Sequence, residues 1–180
     1  VSSELMALIL ELQPRTGGGG GAAKGPDEIV VDIATDIQAR VPELMDVDDA
    51  GPTTFVIQDN GLLASLAIVL QQEIVKFNKL INKMNSSLRD IKKAIGGLIV
   101  MSPDLDAMYG SFMTNKVLGI WTKVSFASLK TLASWVKDVI YRVEFMRNWL
   151  LTGLPTTFPL PVFFFPQGFM TGALQTFARK

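Results

Sequence analysis

The sequence predicts an all-α fold: an antiparallel helix bundle with two long helices, shorter helices, and an irregular Pro/Phe segment before a last helix. Three observations predict it. Two stretches repeat apolar residues at steps of three and four, which is one face of a helix. Runs that alternate apolar and polar residues, as half-buried strands do, are scarce. Apolar residues make up 48% and charged residues 19% of the 180, a composition that packs a core rather than staying disordered.

In order along the sequence, Ser2 or Ser3 caps a first helix with Leu5, Leu8, Ile9 and Leu12 on one face, and Pro14 ends it. The glycine run from Gly17 to Gly21 reads as a flexible loop. Pro26-Asp27-Glu28 places proline and acids where a helix begins, and Ile29, Ile33 and Ile37 carry that helix to about Arg40. From Pro42 to about Gln58 the pattern is mostly loop. Asn60 or Gly61 then opens the longest signal. Leu66, Leu70, Ile74, Phe77, Ile81, Met84, Leu88, Ile91 and Ile95 form one stripe, closed by Gly96-Gly97. Some 35 residues at ~1.5 Å each make a helix of roughly 50 Å, which needs a long partner.

That partner is predicted from Ser128 to Leu151, with Leu129, Leu132, Val136, Val139, Val143, Met146 and Leu150 in its stripe and Gly153 as its stop. Matching periods suit antiparallel packing at a shallow angle. Between the two, Ser102-Pro103-Asp104 starts a shorter helix, and a turn lies around Lys116 to Trp121. Val162 to Phe165 is apolar and extended. Gln167 to Lys180 is a last helix with Phe169, Met170, Ala173, Leu174 and Phe177 on one side.

Composition also limits the chemistry. Lys plus Arg equals Asp plus Glu at 17 each, so no global charge draws nucleic acid or anionic lipid. The absence of Cys and His removes disulfides, thiolate nucleophiles, imidazole bases and most transition-metal sites. The uncharged stretch from Asn148 to Ala178 contains Pro155, Pro159, Pro161 and Pro166, which would free backbone groups that hydrocarbon cannot satisfy. No membrane span is therefore expected.

Apparent motifs fail on their details. Lys24 after the glycine run lacks the Gly before it and the Ser or Thr after it that a phosphate loop needs. Asp46-Val47-Asp48-Asp49 begins like a calcium loop, but Ala50 and Ile57 stand at two ligand positions. Asp104 with Asp106, and Glu43 with Asp46, suit surface and capping roles. Trp121, Trp135 and Trp149 are expected to close a helix core rather than to stack on a ligand. Lys79, Lys83, Arg89, Lys92 and Lys93 read as a solvated helix face.

Three stretches resemble the C-terminal region of dynein heavy chains. One runs from Gln71-Gln72-Glu73 through Phe77-Asn78-Lys79-Leu80 to Lys93-Ala94-Ile95-Gly96-Gly97-Leu98-Ile99-Val100-Met101-Ser102. A second runs from Ser128-Leu129-Lys130 through Ala133-Ser134-Trp135-Val136-Lys137-Asp138 to Arg142 and Trp149. The third, Phe163-Phe164-Phe165-Pro166-Gln167-Gly168-Phe169-Met170, is the most specific, because no helix or strand period generates it. The match looks closer to axonemal heavy chains than to the cytoplasmic one.

The resemblance implies a division into residues 1–16, a helix and entry from a preceding AAA module; 17–25, a Gly-rich linker; and 26–180, the helical part of the dynein C-terminal domain, short of the family's β-rich part. Val1 without an initiator Met, and Arg179-Lys180 without a stop signal, fit the expectation of a piece of a longer polypeptide. The implied parent is a minus-end-directed microtubule motor of cilia and flagella, located in cytoplasm, cytoskeleton and axoneme. The implied partners are the AAA ring of the same heavy chain, dynein intermediate, light-intermediate and light chains, and microtubules, with no nucleic acid and no membrane. ATP and magnesium belong to nucleotide sites elsewhere in the parent. No catalytic, cofactor-binding or metal residue carries over to this chain, and no cofactor is expected in it. The residues carrying the resemblance and the packing are Trp121, Trp135, Trp149, Phe163, Phe164, Phe165, Pro166, Gln167 and Phe169. The competing expectation is a free-standing helical adaptor that binds partner helices along the stripe from Leu66 to Ile95.

Overall fold

A computed structural model describes residues 24–56 and 65–178. The predicted first helix, the glycine loop and the start of the long helix near Asn60 lie outside the described residues. Among the described residues there are six α-helices, two 3-10 turns and no strand. The helices are α1 (Pro26–Arg40), α2 (Ser65–Ile95), α3 (Pro103–Met113), α4 (Gly119–Thr122), α5 (Leu132–Thr152) and α6 (Pro166–Ala178); the turns are Val47–Asp49 and Leu160–Val162. No helix among the described residues is long and apolar enough to cross a membrane.

The chain divides into two units. One comprises Val1–Val41, Asn82–Val124 and Ser128–Asp138; the other comprises Pro42–Ile81, Ser125–Ala127 and Val139–Lys180. Helices α2 and α5 contribute residues to both.

In the first unit, α1 starts as proline and acids dictate, and its Ile29, Ile33 and Ile37 are buried with Val30 and Ala34. Met84, Leu88 and Ile91 of α2 and Leu132 and Val136 of α5 are buried as their stripes require. Helix α3 begins at a Ser102 cap, whose hydroxyl accepts from the Leu105 N–H. The core here is aromatic. Trp121 stacks on Trp135 at 5.4 Å and meets Phe112 edge-on at 6.4 Å. The buried Trp121 Nε1 donates to Ser87 Oγ at 2.7 Å, so the indole's single polar group is satisfied. Tyr109 donates its phenol to Asp27 at 2.6 Å, tying α3 to α1.

Helix α5 does not begin at Ser128 as predicted. It begins at Leu132, and Leu129, the first member of the predicted stripe, is fully exposed. The cap comes from a distant position in the sequence. Asn115, in the left-handed region at φ 53°, offers its carbonyl to the Leu132 N–H and its Oδ1 to the Ala133 N–H. Ser128 instead accepts from the Lys130 N–H in a local turn. Helical periodicity cannot reveal a cap supplied from 17 residues upstream.

In the second unit, Leu70, Ile74, Phe77 and Ile81 of α2 and Val139, Val143, Met146 and Leu150 of α5 are buried. Residues 42–56, the described part of the segment after α1, are pinned to α2 and α5. Asn78 donates to the Met45 carbonyl and accepts from the Met45 N–H, at 2.7 and 2.8 Å. The Leu150 carbonyl, near the end of α5, takes the Gly51 N–H and the Thr54 hydroxyl. A side chain at Gly51 would collide with the Leu151 carbonyl. Gly153 ends α5 in the left-handed region at φ 94°, as the sequence predicts.

The last helix differs in facing. Its buried line is Phe169 and Gly172, while Met170 and Leu174 are exposed. Gly172 approaches α2 so closely that a Cβ there would lie 2.8 Å from Val69 Cγ2. This close approach turns the glycine edge inward and the larger side chains outward. Of the stretch from Val162 to Phe165, predicted to be extended, Phe163 alone has that backbone: Leu160–Val162 closes a 3-10 turn, and the backbone bends at Phe164 and Phe165.

Candidate functional site

The tail leading into α6 is held by two buried charged side chains, which the sequence reading places within the family resemblance but gives no role of their own. Glu73 lies on the apolar side of α2, three residues after Leu70 and four before Phe77. It is 2% exposed. One carboxylate oxygen accepts from the Phe164 N–H at 2.7 Å and the other from the Phe165 N–H at 3.0 Å. Arg142 lies on the apolar side of α5, three after Val139 and four before Met146. It donates to the Phe163 carbonyl at 3.0 Å, and its guanidinium carbon sits 3.6 Å from the centre of the Phe126 ring. Three successive residues of the tail are therefore gripped by their backbone.

Burial pushes the Glu73 carboxyl above the usual carboxylate range. The two tail N–H groups and the nearby Lys76 and Arg142 cations pull in the opposite direction without cancelling it. The charge is thus held at a cost, and its amide partners offset part of that cost.

The rings of the tail divide between two pockets in this unit. Phe164 meets Phe77 and Phe126 edge-on at 5.3 and 5.8 Å. Phe163 stacks on Phe169 at 4.2 Å, and Phe158 and Trp149 complete that cluster. Phe165 is half open to solvent, with the Lys76 ammonium 4.7 Å from its ring centre. Pro166 and Gln167 are exposed in the first turn of α6, where proline's fixed φ suits a helix start.

The residues expected to matter are therefore not one site. Trp121 and Trp135 belong to the core of the first unit. Trp149, Phe163, Phe164, Phe165, Pro166, Gln167 and Phe169 belong to the second. The signal that marks Glu73 and Arg142 is available in the sequence: a charge at the three-and-four spacing of an apolar stripe must find a partner when it is buried.

Both buried charges face main-chain groups, whereas a general base must reach a substrate proton. Among the described residues no three acidic side chains group as a metal site. Asp46, Asp48 and Asp49 lie at a 3-10 turn that the Asp46 carboxylate caps through the Asp48 N–H. The described residues of the first unit line at least two concavities. One of about 100 Å³ lies beside Asp104, Met108, Leu118 and Lys123; a shallow one of about 290 Å³ lies beside Lys24, Asp27 and Ile95.

The family model for the C-terminal domain of dynein heavy chains matches residues 1–180. Dynein axonemal heavy chain 6 of Homo sapiens is 44% identical over 99% of this sequence. Dynein axonemal heavy chain 1 of Rattus norvegicus is 40% identical over 98% of it, and dynein axonemal heavy chain 12 of Mus musculus is 39% identical over 89%. The 180 residues span only 4–5% of the length of these relatives.

Proposed function

The protein belongs to the family of C-terminal domains of dynein heavy chains, and from that premise we propose that it is a non-catalytic, force-bearing part of an axonemal heavy chain. The parent would be a minus-end-directed microtubule motor in the axoneme of a cilium or flagellum. It would bind ATP and magnesium outside these residues, and it would act with intermediate, light-intermediate and light chains. This part would brace the AAA ring of its own heavy chain.

The observation that carries the reading is the use made of Glu73 and Arg142. Charged groups at this depth elsewhere mark reaction centres. Here both are occupied by the backbone of residues 163–165, which suits rigid attachment. A free-standing adaptor would need the stripe of α2 open to a partner helix, but Leu70, Ile74, Phe77, Ile81, Met84, Leu88 and Ile91 are at most 2% exposed.

The test is made in an intact heavy chain with Glu73→Ala. Nucleotide binding is expected to persist, while microtubule gliding and microtubule-stimulated ATP hydrolysis fall together. ATP hydrolysis by residues 1–180 alone, abolished by the same substitution, would overturn the proposal.

A further inference from the structure

The start of α5 depends on a residue that the end of α3 holds in an unfavoured shape. Asn115 directly follows the C-cap of α3 and lies in the left-handed region, which strains any residue with a Cβ. From there its carbonyl takes the Leu132 N–H at 3.1 Å, and its Oδ1 takes the Ala133 N–H at 3.2 Å. The turn that fixes this shape is made by α3. The Thr114 N–H returns to the Gly110 carbonyl at 3.1 Å and the Lys116 N–H to the Ser111 carbonyl at 3.0 Å. Both acceptors directly follow Tyr109, whose phenol is bonded at the surface to Asp27 of α1. Helix α3 cannot hold itself in place by propensity. It has 11 residues with Gly110 inside it, so its order comes from packing on α1 and on α4.

We infer that α3 is a conformational strut, through which the seating of α1 decides whether the first turn of α5 is capped. The two-state element is Asn115. With the Tyr109–Asp27 bond made, the last turn of α3 is tight, and Asn115 is left-handed and caps α5. With that bond broken the turn loosens, Asn115 relaxes to an ordinary backbone conformation, and the Leu132 and Ala133 N–H groups pass to water. Helix α5 then starts later in the sequence. The stack of Phe112, Trp121 and Trp135 also joins α3 to α5. It is a second route, which would bypass Asn115. The inference is independent of the non-catalytic reading, since it concerns only how one helix of the first unit controls another.

Hydrogen exchange followed by mass spectrometry in the intact heavy chain tests it. Tyr109→Phe removes one oxygen and breaks the bond from α3; Asp27→Ala breaks it from α1. Either variant is expected to speed exchange in peptides covering residues 132–135 about threefold, the size of a partly transmitted hydrogen bond, with no change from Leu88 to Ile91 of α2. Asn115→Ala, which disfavours the left-handed backbone and deletes the side-chain cap, should speed the same peptides more, and Tyr109→Phe should then add nothing. Unchanged exchange at 132–135 overturns the inference. An equal rise in α2 overturns it too, because the bond then acts on the whole unit. So does a rise of the same size in the Asn115→Ala background, which would place the coupling in the rings.

Discussion

Replacing Glu73 by Ala removes the acceptor for two tail amides at once, and the result can be worked from the geometry. A buried donor left unsatisfied costs on the order of 1–3 kcal/mol. Both N–H groups are only partly buried, and Phe165 is half exposed, so water can reach them and the low end applies. Losing the carboxylate also relieves a charge that burial penalises, since the Glu73 pKa is raised. The net destabilisation is expected to be about 2 kcal/mol. Glu73→Gln keeps one acceptor but turns an amide N–H₂ toward the second donor, and should cost about 1 kcal/mol.

The pH dependence has a definite sign. A carboxyl whose folded pKa is raised binds its proton more tightly in the folded state. Its contribution is fully present below the ordinary carboxylate value of 4.5 and is lost as pH rises through the folded pKa. The advantage of wild type over Glu73→Gln should therefore narrow on going from pH 4 to pH 7. Urea unfolding followed by tryptophan fluorescence at the two pH values measures both effects. An alanine variant as stable as wild type, or an advantage that widens toward neutral pH, would refute the reasoning.

Other expectations follow from single contacts. Ser87→Ala leaves the Trp121 indole N–H buried without its acceptor and should cost about 1–3 kcal/mol in urea unfolding, most of it absent in a Trp121→Phe background. Gly172→Ala should destabilise despite alanine's better helix propensity, because of the 2.8 Å approach to Val69, and Val69→Ala should recover part of the loss. Asn115→Gly keeps the left-handed backbone but deletes the Oδ1 cap of α5; thermal melting should show a loss of ~1 kcal/mol, and a larger loss for Asn115→Val. The Tyr109 phenol, pushed up to about 12 by burial and by its bond to Asp27, should titrate well above 10 when absorbance is followed in a Tyr141→Phe background; Asp27→Asn should lower it.

Much of the fold could be read from periodicity, because burying a helix face demands it. The stripe members from Leu70 to Ile91 and from Leu132 to Leu150 are inside for that reason. Features fixed by distant partners could not be read in this way. Leu129 continued the repeat yet lies outside the helix, since Asn115 decides where α5 starts. Met170 and Leu174 lost their place inside because Gly172, having no side chain, permits the closer contact. Glu73 and Arg142 could have been suspected as charges within apolar stripes. What they hold could not, because the partners are main-chain atoms, which every residue shares.

Three identical rings in a row carry no information about position: shifted by one residue, Phe163 to Phe165 would offer nearly the same side chains to the same hollows. The grip of Glu73 and Arg142 on backbone atoms removes that ambiguity, and Pro166, with no N–H to donate, blocks a slide in one direction. Alignment is thus set by the count of peptide bonds rather than by the identity of the rings. A residue added among 154–157 should be absorbed ahead of the grip, whereas a fourth phenylalanine inserted before Pro166 would force α6 to give up either its start or its seat against Val69.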